Sequence, residues 1–433
     1  MATAEVKKSY FVAIDSDLGA AAIDAQTALV TTWASDAVDA RTAFLLEPSG
    51  LPDLSLDYEE VTRDVIRDSY LPASPLRGII NSTGSMTFEL HGGGVNGATW
   101  VRKPDYAPML KSGFGAQTFV SADAVGTTDD LSAVSVGGSV VISGGTAGHI
   151  YVYEDASGDV AVVQATGTTT GLLMYKDTNF STGTNKLSAT AYSMPAVLGG
   201  IPNFALAYYR ANIVRELYAK CAVTSIEFPF TAGELVLPTV NFNVSDGTVA
   251  AETYQADSIF ANKETRMTSD IASPLFAKAV DWDLQWADVT APGGIIWDSL
   301  DASATPGDHK CVDSFTLTLN NESSTIKCIT EPEGIKSYGV QGRSVELSLS
   351  AYYDDYFTDN LTKLFTEAGN KYRLRISAMK KDGGKGNRFF IFAPRMSFKP
   401  VVAEADGLFK YDVTGQGEKD PVFGENALTC VFF

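Results

Sequence analysis

The chain has 433 residues, 45% of them apolar and 20% charged, a composition typical of a globular protein with enough apolar material for two or three domains. Its 33 basic and 52 acidic side chains give a formal net charge of −19, which argues against a nucleic-acid-binding surface built on phosphate neutralisation. DNA could still pass near such a repelling surface. No signal peptide is expected after Met1, and no run of about 18 apolar residues predicts a membrane span.

The four cysteines are widely scattered along the chain. They are Cys221, Cys311, Cys328 and Cys430. This spacing favours free thiols in a cytosolic product over a disulfide between Cys311 and Cys328 across a hairpin.

The first organised segment, residues 9–113, predicts strands followed by a helix. Ser9 to Ile14 is a short strand candidate, and Gly84 to Leu90 alternates apolar and polar residues with the period of a half-buried strand. Pro104 to Leu110 then predicts a helix, and Gly113 stands where a left-handed residue would end it. The strand from Gly84 to Leu90 and the helix that ends at Gly113 form the first strand-and-helix unit.

Residues 116–181 differ from their surroundings because Gly, Thr, Ser and Val dominate. Short apolar runs between turn residues predict strands at residues 136–142, 149–153, 160–164 and 172–175. Loops tolerate insertions better than strands or helices do. We therefore expect a small β domain inserted into a loop of the first unit.

A second strand-and-helix unit follows a connector at residues 251–310. Ser344 to Ser350 alternates apolar and polar residues, which predicts a half-buried strand. From Phe357 to Ala368 apolar residues recur every three or four positions, which predicts an amphipathic helix that ends at Gly369.

The common order of these segments predicts a diverged tandem duplication. Asp53 to Tyr58 precedes the first unit as Ser314 to Leu319 precedes the second, and residues 223–244 correspond to residues 395–413 at the end of each. The predicted fold is therefore mainly β, with two β-sandwich domains, each flanked by a short helix. The predicted boundaries are 1–115 with 182–250 for the first domain, 116–181 for the inserted β domain, 251–310 for the connector and 311–433 for the second domain.

No catalytic pattern emerges from the residues that usually carry chemistry. The three histidines, His91, His149 and His309, are not spaced as zinc ligands. Residues 383–386 contain Lys385 among glycines, but they lack the first glycine and the Ser or Thr of a phosphate-binding loop.

Acidic pairs are better explained by turns than by catalysis or metal binding. Asp354 and Asp355 favour a solvated turn over a glycosidase pair. Asp155 and Asp159 are not followed by the twelve-residue loop of a calcium site. We expect no enzymatic activity and no cofactor or metal.

A basic segment stands out in this acidic chain. Between residues 371 and 388, seven residues are basic and only Asp382 is acidic. Tyr372, Leu374 and Ile376 alternate with the first three basic residues, which places those charges on one face of a strand. Two interpretations remain open: a face that contacts an acidic patch on another copy of the chain, or an ordinary solvated hairpin. The seven residues are Lys371, Arg373, Arg375, Lys380, Lys381, Lys385 and Arg388.

The chain ends in three apolar residues, Val431, Phe432 and Phe433. An end this apolar predicts burial or strand pairing. The partner could be the chain itself or a neighbouring subunit.

Four runs carry a further similarity: Arg63 to Asp68, Asn81 to Leu90, Cys221 to Glu234, and Ser314 to Asn321. In this order they resemble the tail tube (major tail) proteins of long-tailed, non-contractile bacteriophages. The resemblance covers about two thirds of the chain and excludes the inserted segment. It implies a structural virion protein with β-sandwich domains whose inner sheets line a channel through stacked rings.

The resemblance also implies partners and a location. Because single-domain members form hexameric rings, a duplicated chain implies a homotrimeric ring with pseudo-sixfold symmetry. Genome DNA would pass through an acidic channel without specific binding. Other implied partners are tape measure, terminator and distal tail proteins, and the implied location is the virion tail after synthesis in the host cytoplasm. The inserted domain would project outward, with a weak affinity for cells or glycans, and its deletion would leave ring formation intact.

Three alternatives remain. A distal tail or tail terminator component would share the fold but would not stack. A secreted carbohydrate-binding β protein would present Tyr151 and Tyr153 in an exposed groove. A glycoside hydrolase would need two convergent carboxylates.

Overall fold

A computed structural model describes ten parts of the chain, several of which have short internal gaps. The ranges are 9–15, 43–61, 76–120, 131–195, 201–251, 283–288, 295–298, 312–352, 371–378 and 386–433. Within them the fold is mainly β, with 27 strands, one helix and large antiparallel sheets.

The elements follow each other along the chain in four groups. The first is β1 Ser9–Ile14, β2 Ala43–Leu46, β3 Asp53–Leu54, β4 Tyr58–Val61, β5 Leu76–Ile80, β6 Ser82–Thr87, β7 Val95–Asn96, β8 Trp100–Val101 and helix α1 Ala107–Phe114. The second is β9 Ala116–Val120, β10 Ser139–Val141, β11 Ile150–Glu154, β12 Val160–Ala165, β13 Thr170–Lys176, β14 Asn185–Leu187 and β15 Ala189–Ser193. The third is β16 Phe204–Arg210, β17 Val214–Thr231, β18 Thr239–Val244 and β19 Asp246–Ala251. The fourth is β20 Asp283–Asp288, β21 Ile295–Asp298, β22 Val312–Lys327, β23 Ile335–Tyr352, β24 Tyr372–Ala378, β25 Phe389–Ala405, β26 Leu408–Gly417 and β27 Thr429–Phe432.

Alternation of apolar and polar residues determines which face of a strand is buried. In β23, Val345, Leu347 and Leu349 are buried, whereas Glu346 and Ser348 are exposed. The sequence therefore predicted both this strand and its core-facing side chains, because successive side chains point to opposite faces of a sheet.

Helix α1 forms where the sequence predicts a helix, but the prediction of its last residue was wrong. Gly115, with φ of 94°, adopts the left-handed conformation, and its N–H donates to the carbonyl oxygen of Lys111 at 2.8 Å. Gly113 lies inside the helix, where an added Cβ would be 2.3 Å from Cδ1 of Ile226 on β17. That glycine allows close packing and does not end the helix. The second predicted helix, residues 357–369, lies outside the described residues.

Two sets of eight strands have the same order of pairing. In the first set, β1 pairs with β2 and β16, β16 with β17, β17 with both β18 and β19, and β18 with β6, which pairs with β3. In the second set, β20 pairs with β21 and β24, β24 with β25, β25 with both β26 and β27, and β26 with β23, which pairs with β22. Corresponding strands occur in the same order along the chain. The predicted connector contains β20 and β21, which pair within the second set.

A bulge occurs at the same place in both sets. It lies where the long strand, β17 or β25, changes its pairing partner. There Cys221 opposes Phe204 in the first set, and Met396 opposes Tyr372 in the second. This shared irregularity aligns Cys221 with Met396 and Val223 with Phe398, after which β17 has a further bulge at Thr224 that β25 lacks.

Two residues beyond the bulge, a row of three opposed residues crosses the sheet in each set. The glycine of this row lies on β6 in the first set and on β26, which corresponds to β18, in the second. An added Cβ at Gly84 would lie 2.4 Å from the Phe242 ring, and one at Gly415 would lie 2.7 Å from the Phe398 ring. Each row therefore has space for its aromatic ring only because the neighbouring residue is glycine. The rows of opposed residues are Val223, Phe242 and Gly84 in the first set, and Phe398, Gly415 and Leu347 in the second.

The two sets join through one strand pair inside the chain. Residues 225–231 of β17 pair antiparallel with residues 314–320 of β22. Phe230 and Phe315 stack across this junction with ring centroids 4.2 Å apart. The apolar faces of both sets contribute to one large hydrophobic core.

The inserted sheet consists of β10 to β14, in the order β10-β13-β12-β11-β14. Its boundaries differ from those predicted, because β14 belongs to it, whereas β9 pairs with β15 of the main sheet. One face carries Val152 and Val162, which share a buried cluster with Phe390, Phe392 and Phe433. The inserted sheet is thus packed onto the end of the second set, and this changes the expectation of a separate outward projection.

Candidate interaction surfaces

The predicted basic face of β24 lies inside the chain. Arg373 and Arg375 are only 2% and 3% exposed. Nη1 of Arg373 donates a hydrogen bond to the carbonyl oxygen of Val136 at 3.1 Å, and its guanidinium lies 5.5 Å from the centre of the Phe423 ring. An added Cβ at Gly137 would come within 2.9 Å of the same guanidinium. Because the chain leading into the inserted sheet covers this face, these two arginines do not form an exposed surface for another copy.

Arg388 also faces the inserted sheet. Its Nη1 donates to Oε1 of Glu154 on β11 at 3.0 Å, and both side chains are largely buried. The backbone of Arg388 exchanges two hydrogen bonds with Phe433, at 3.0 and 3.1 Å. Removing one member of a buried ion pair leaves a costly unpaired charge, so this contact holds the insert to the main sheet.

The lysines of the basic segment have different positions. Lys371 donates to Oε1 of Glu418. Burial opposes ionisation of Glu418, but the hydrogen bond and charge of Lys371 lower the pKa of this carboxyl below its usual value. Lys380, Lys381 and Lys385 lie outside the described residues. Contact between the basic segment and another copy remains a prediction for these three lysines.

The apolar C-terminus lies within the chain. Val431, Phe432 and Phe433 are buried. Strand β27 pairs with β15 on one side and with β25 on the other, and the ring of Phe432 lies 5.0 Å from that of Phe389. The sequence left open whether this end pairs within the chain or with a neighbouring subunit, and the structure shows pairing within the chain.

Tyr151 and Tyr153 are buried, so they do not line the exposed groove that the carbohydrate-binding alternative requires. The Nζ atom of Lys186 lies 5.4 and 5.8 Å from the centres of their two rings. The Tyr151 hydroxyl accepts a hydrogen bond from the N–H of Thr146 at 3.0 Å. Both tyrosines therefore stabilise the inserted sheet.

Asp155 closes a turn of the inserted sheet. Its carboxylate accepts hydrogen bonds from the N–H groups of Ser157, Asp159 and Ser181 at 2.8 to 3.0 Å. Burial opposes its ionisation, but these hydrogen bonds lower its pKa. In the part of the chain that the structure describes, no group of three or more His, Cys, Asp or Glu side chains is placed to hold a metal ion. No described helix is long and apolar enough to span a membrane.

One exposed sheet edge is the second half of β25, residues 397–405. Among the described residues this half pairs only with β26, on one side. Val401 and Val402 are 53% and 54% exposed, and Lys399 is exposed as well. An exposed edge with apolar side chains is a site for pairing with another strand. This edge was not predicted from the sequence, although two consecutive valines in a strand cannot both face the core.

A second exposed edge lies at residues 51–57, around β3. Within the described ranges β3 pairs only with β6. Leu51 is 70% exposed, and Asp53 and Asp57 are also exposed. The two edges lie at opposite ends of the continuous strand order that runs β3-β6-β18-β17-β22-β23-β26-β25.

Comparison with known proteins gives one family match. The profile of a family described as "Phage tail tube protein" matches residues 17–417. The matched range includes both sets of strands except for β1 and β27 and contains the whole inserted sheet. No curated protein matches the chain.

Proposed function

The chain belongs to the phage tail tube protein family, and from this premise we propose that it assembles into stacked rings that form the tube of a long-tailed, non-contractile phage. Membership makes it a structural component of the virion tail. Genome DNA would pass through the channel during ejection. The net charge of −19 supports passage without specific binding, because like charge prevents tight contact with phosphates.

The two sets of strands are two copies of one tube domain in this proposal. The observation that carries it is the shared pairing order, together with the bulge at Cys221 and Met396. Gly84 and Gly415 add support, because each leaves space in its row for the neighbouring aromatic ring, Phe242 or Phe398. Three chains would then supply six tube domains, which gives a homotrimeric ring with pseudo-sixfold symmetry.

Ring formation would cover the two exposed edges at residues 51–57 and 397–405. Proteins usually protect such edges, and closed rings remove them. Tape measure, terminator and distal tail proteins are the further partners that this function requires. A distal tail or terminator component is the main alternative, because it has the same fold but forms one ring that does not stack.

Negative-stain electron microscopy of concentrated purified protein tests the proposal. We expect hollow tubes built from stacked rings. Single rings that never stack would favour a distal tail or terminator component. A strict monomer at every concentration and ionic strength would contradict self-assembly.

A further inference from the structure

We infer that residues 397–405 of one chain pair antiparallel with residues 51–57 of the next copy, in the register that joins β17 to β22 within the chain. The partner is a second copy of this protein. The inference rests on the proposed ring assembly and specifies which edges meet and which residues oppose each other.

The internal junction provides the template. Along residues 225–231, β17 pairs with β22 so that Glu227 opposes Thr318 and Phe228 opposes Leu317. Pro229 lies within this paired stretch. In the register derived below, Pro400 takes the place of Ile226, and as a proline it has no backbone N–H to donate at that position.

Aligning the two sets by their shared bulge gives the register between chains. Cys221 corresponds to Met396, and β17 contains one further bulged residue, Thr224, that β25 lacks. Val401 therefore takes the place of Glu227, and Val402 that of Phe228. On the other edge, Leu54 opposes Gly84 on β6 as Leu317 opposes Leu347 on β23. Ser55 therefore takes the place of Thr318. The opposed pairs predicted between chains are Lys399 with Asp57, Val401 with Ser55, and Val402 with Leu54.

The side chains on the two edges are complementary in this register. Lys399 and Asp57 are both exposed and carry opposite charges, so they attract each other across the interface. Val402 is 54% exposed and opposes Leu54, which is partly buried against the core. Pairing would extend the apolar face onto the neighbouring chain, as Phe228 and Leu317 do within the chain.

Disulfide trapping tests the register in assembled protein. The variant carries Ser55→Cys and Val401→Cys, at positions predicted to lie within disulfide distance across an antiparallel pair. We expect mild oxidation to link chains into dimers and trimers on non-reducing gels. The native thiols of Cys221 and Cys430 are buried, and burial raises the pKa of both, so they are not expected to react. Because Cys328 is partly exposed, all cysteine variants also carry Cys311→Ser and Cys328→Ser.

Two matched controls define the result. Glu227→Cys with Thr318→Cys places cysteines at the corresponding internal pair and should close within one chain, without a change in mass. Leu51→Cys with Val401→Cys is four residues out of register, about 13 Å apart, and should give at least tenfold less linked product. Equal linking in both registers would overturn the inference. Tubes that form but give no link through Ser55→Cys and Val401→Cys would overturn it and leave the proposed function intact, whereas failure of the wild-type protein to assemble would overturn both.

Charge exchange provides a second test if the cysteine variants fold poorly. Asp57→Lys or Lys399→Asp alone should raise the protein concentration required for assembly about fivefold, because like charges then oppose each other. The double variant Asp57→Lys with Lys399→Asp should assemble at a protein concentration close to that of the wild type, because opposite charges again face each other. A double variant that shows the sum of both defects would overturn the register.

Discussion

Strand β25 has two halves with very different surroundings. Its first half, Phe389 to Met396, is almost entirely buried, because the core covers one face and the inserted sheet covers the other. Among the described residues, one edge of its second half has no paired strand, and Val401 and Val402 there are about half exposed. The comparison indicates that one strand serves two purposes: the first half stabilises the chain, and the second half is available for contact with another copy.

Removing the inserted sheet should have the largest effect on the first half. Replacing residues 131–187 by a short linker would uncover Phe390, Phe392, Val431 and Phe433. Since burial of each such side chain contributes roughly 1.5–3 kcal/mol, the total is of the order of the whole stability of a domain. We expect loss of soluble folded protein, measured by yield and circular dichroism. This prediction replaces the expectation from the sequence that deletion of the segment leaves ring formation intact, because the insert shares a buried cluster with the second set. A deletion variant that melts at the wild-type temperature would show that the insert is dispensable for folding.

A single truncation in each half should separate stability from assembly. Phe390→Ala should lower the free energy of unfolding by about 3–5 kcal/mol, because it leaves a cavity between the insert and the main sheet. Val402→Ala is the matched control and should change it by less than about 0.5 kcal/mol, because the side chain is about half exposed and lies outside the core. Urea unfolding of the unassembled chain measures both. Similar losses for the two variants would contradict the division of β25.

The ion pair between Arg388 and Glu154 should behave as a buried pair. Glu154→Ala should cost about 3 kcal/mol of unfolding free energy, because Arg388 would be left charged and largely buried. Replacing both, with Glu154→Leu and Arg388→Met, should recover most of that loss. Urea titrations of Glu154→Leu, Arg388→Met and the double variant measure this coupling. Additive losses in the double variant would mean that the two side chains act independently.

The smallest effect is expected at the surface pair of Lys371 and Glu418. Because the pKa of Glu418 is lowered in the folded chain, its carboxylate stabilises the fold above the ordinary value of 4.5, and this contribution is lost as pH falls through the lower folded value. Glu418→Gln should therefore remove less than about 1 kcal/mol at pH 7 and reduce the pH dependence of stability below pH 4.5. Unfolding free energies measured from pH 3 to pH 7 test this. An unchanged pH profile would show that the pair is not coupled to folding.

Local patterns in the sequence predicted much of the fold. Alternation identified β6 and β23 with their buried faces, and turn residues located the inserted strands. The end of the helix was predicted at the wrong residue, because glycines such as Gly113 commonly end helices. In the structure Gly113 instead allows close packing against Ile226, which is distant in sequence. A glycine required by tertiary packing cannot be distinguished from a capping glycine by sequence position alone.

The interaction surfaces were less predictable, because they depend on long-range packing. The alternation around Arg373 correctly placed the basic side chains on one face of β24, but it could not reveal that residues 134–138 cover that face. The exposed edges depend on strand pairing across the whole chain. Pairing order and register are properties of the fold, and neither is encoded in the local pattern of Val401 or Leu51.

Cryo-electron microscopy of the assembled protein would resolve the number of chains per ring and the strand pairs between them. We expect three chains per ring, with residues 397–405 of each chain hydrogen-bonded to residues 51–57 of the next and Lys399 opposite Asp57. Six chains per ring, or a ring in which the second half of β25 stays unpaired, would contradict this expectation.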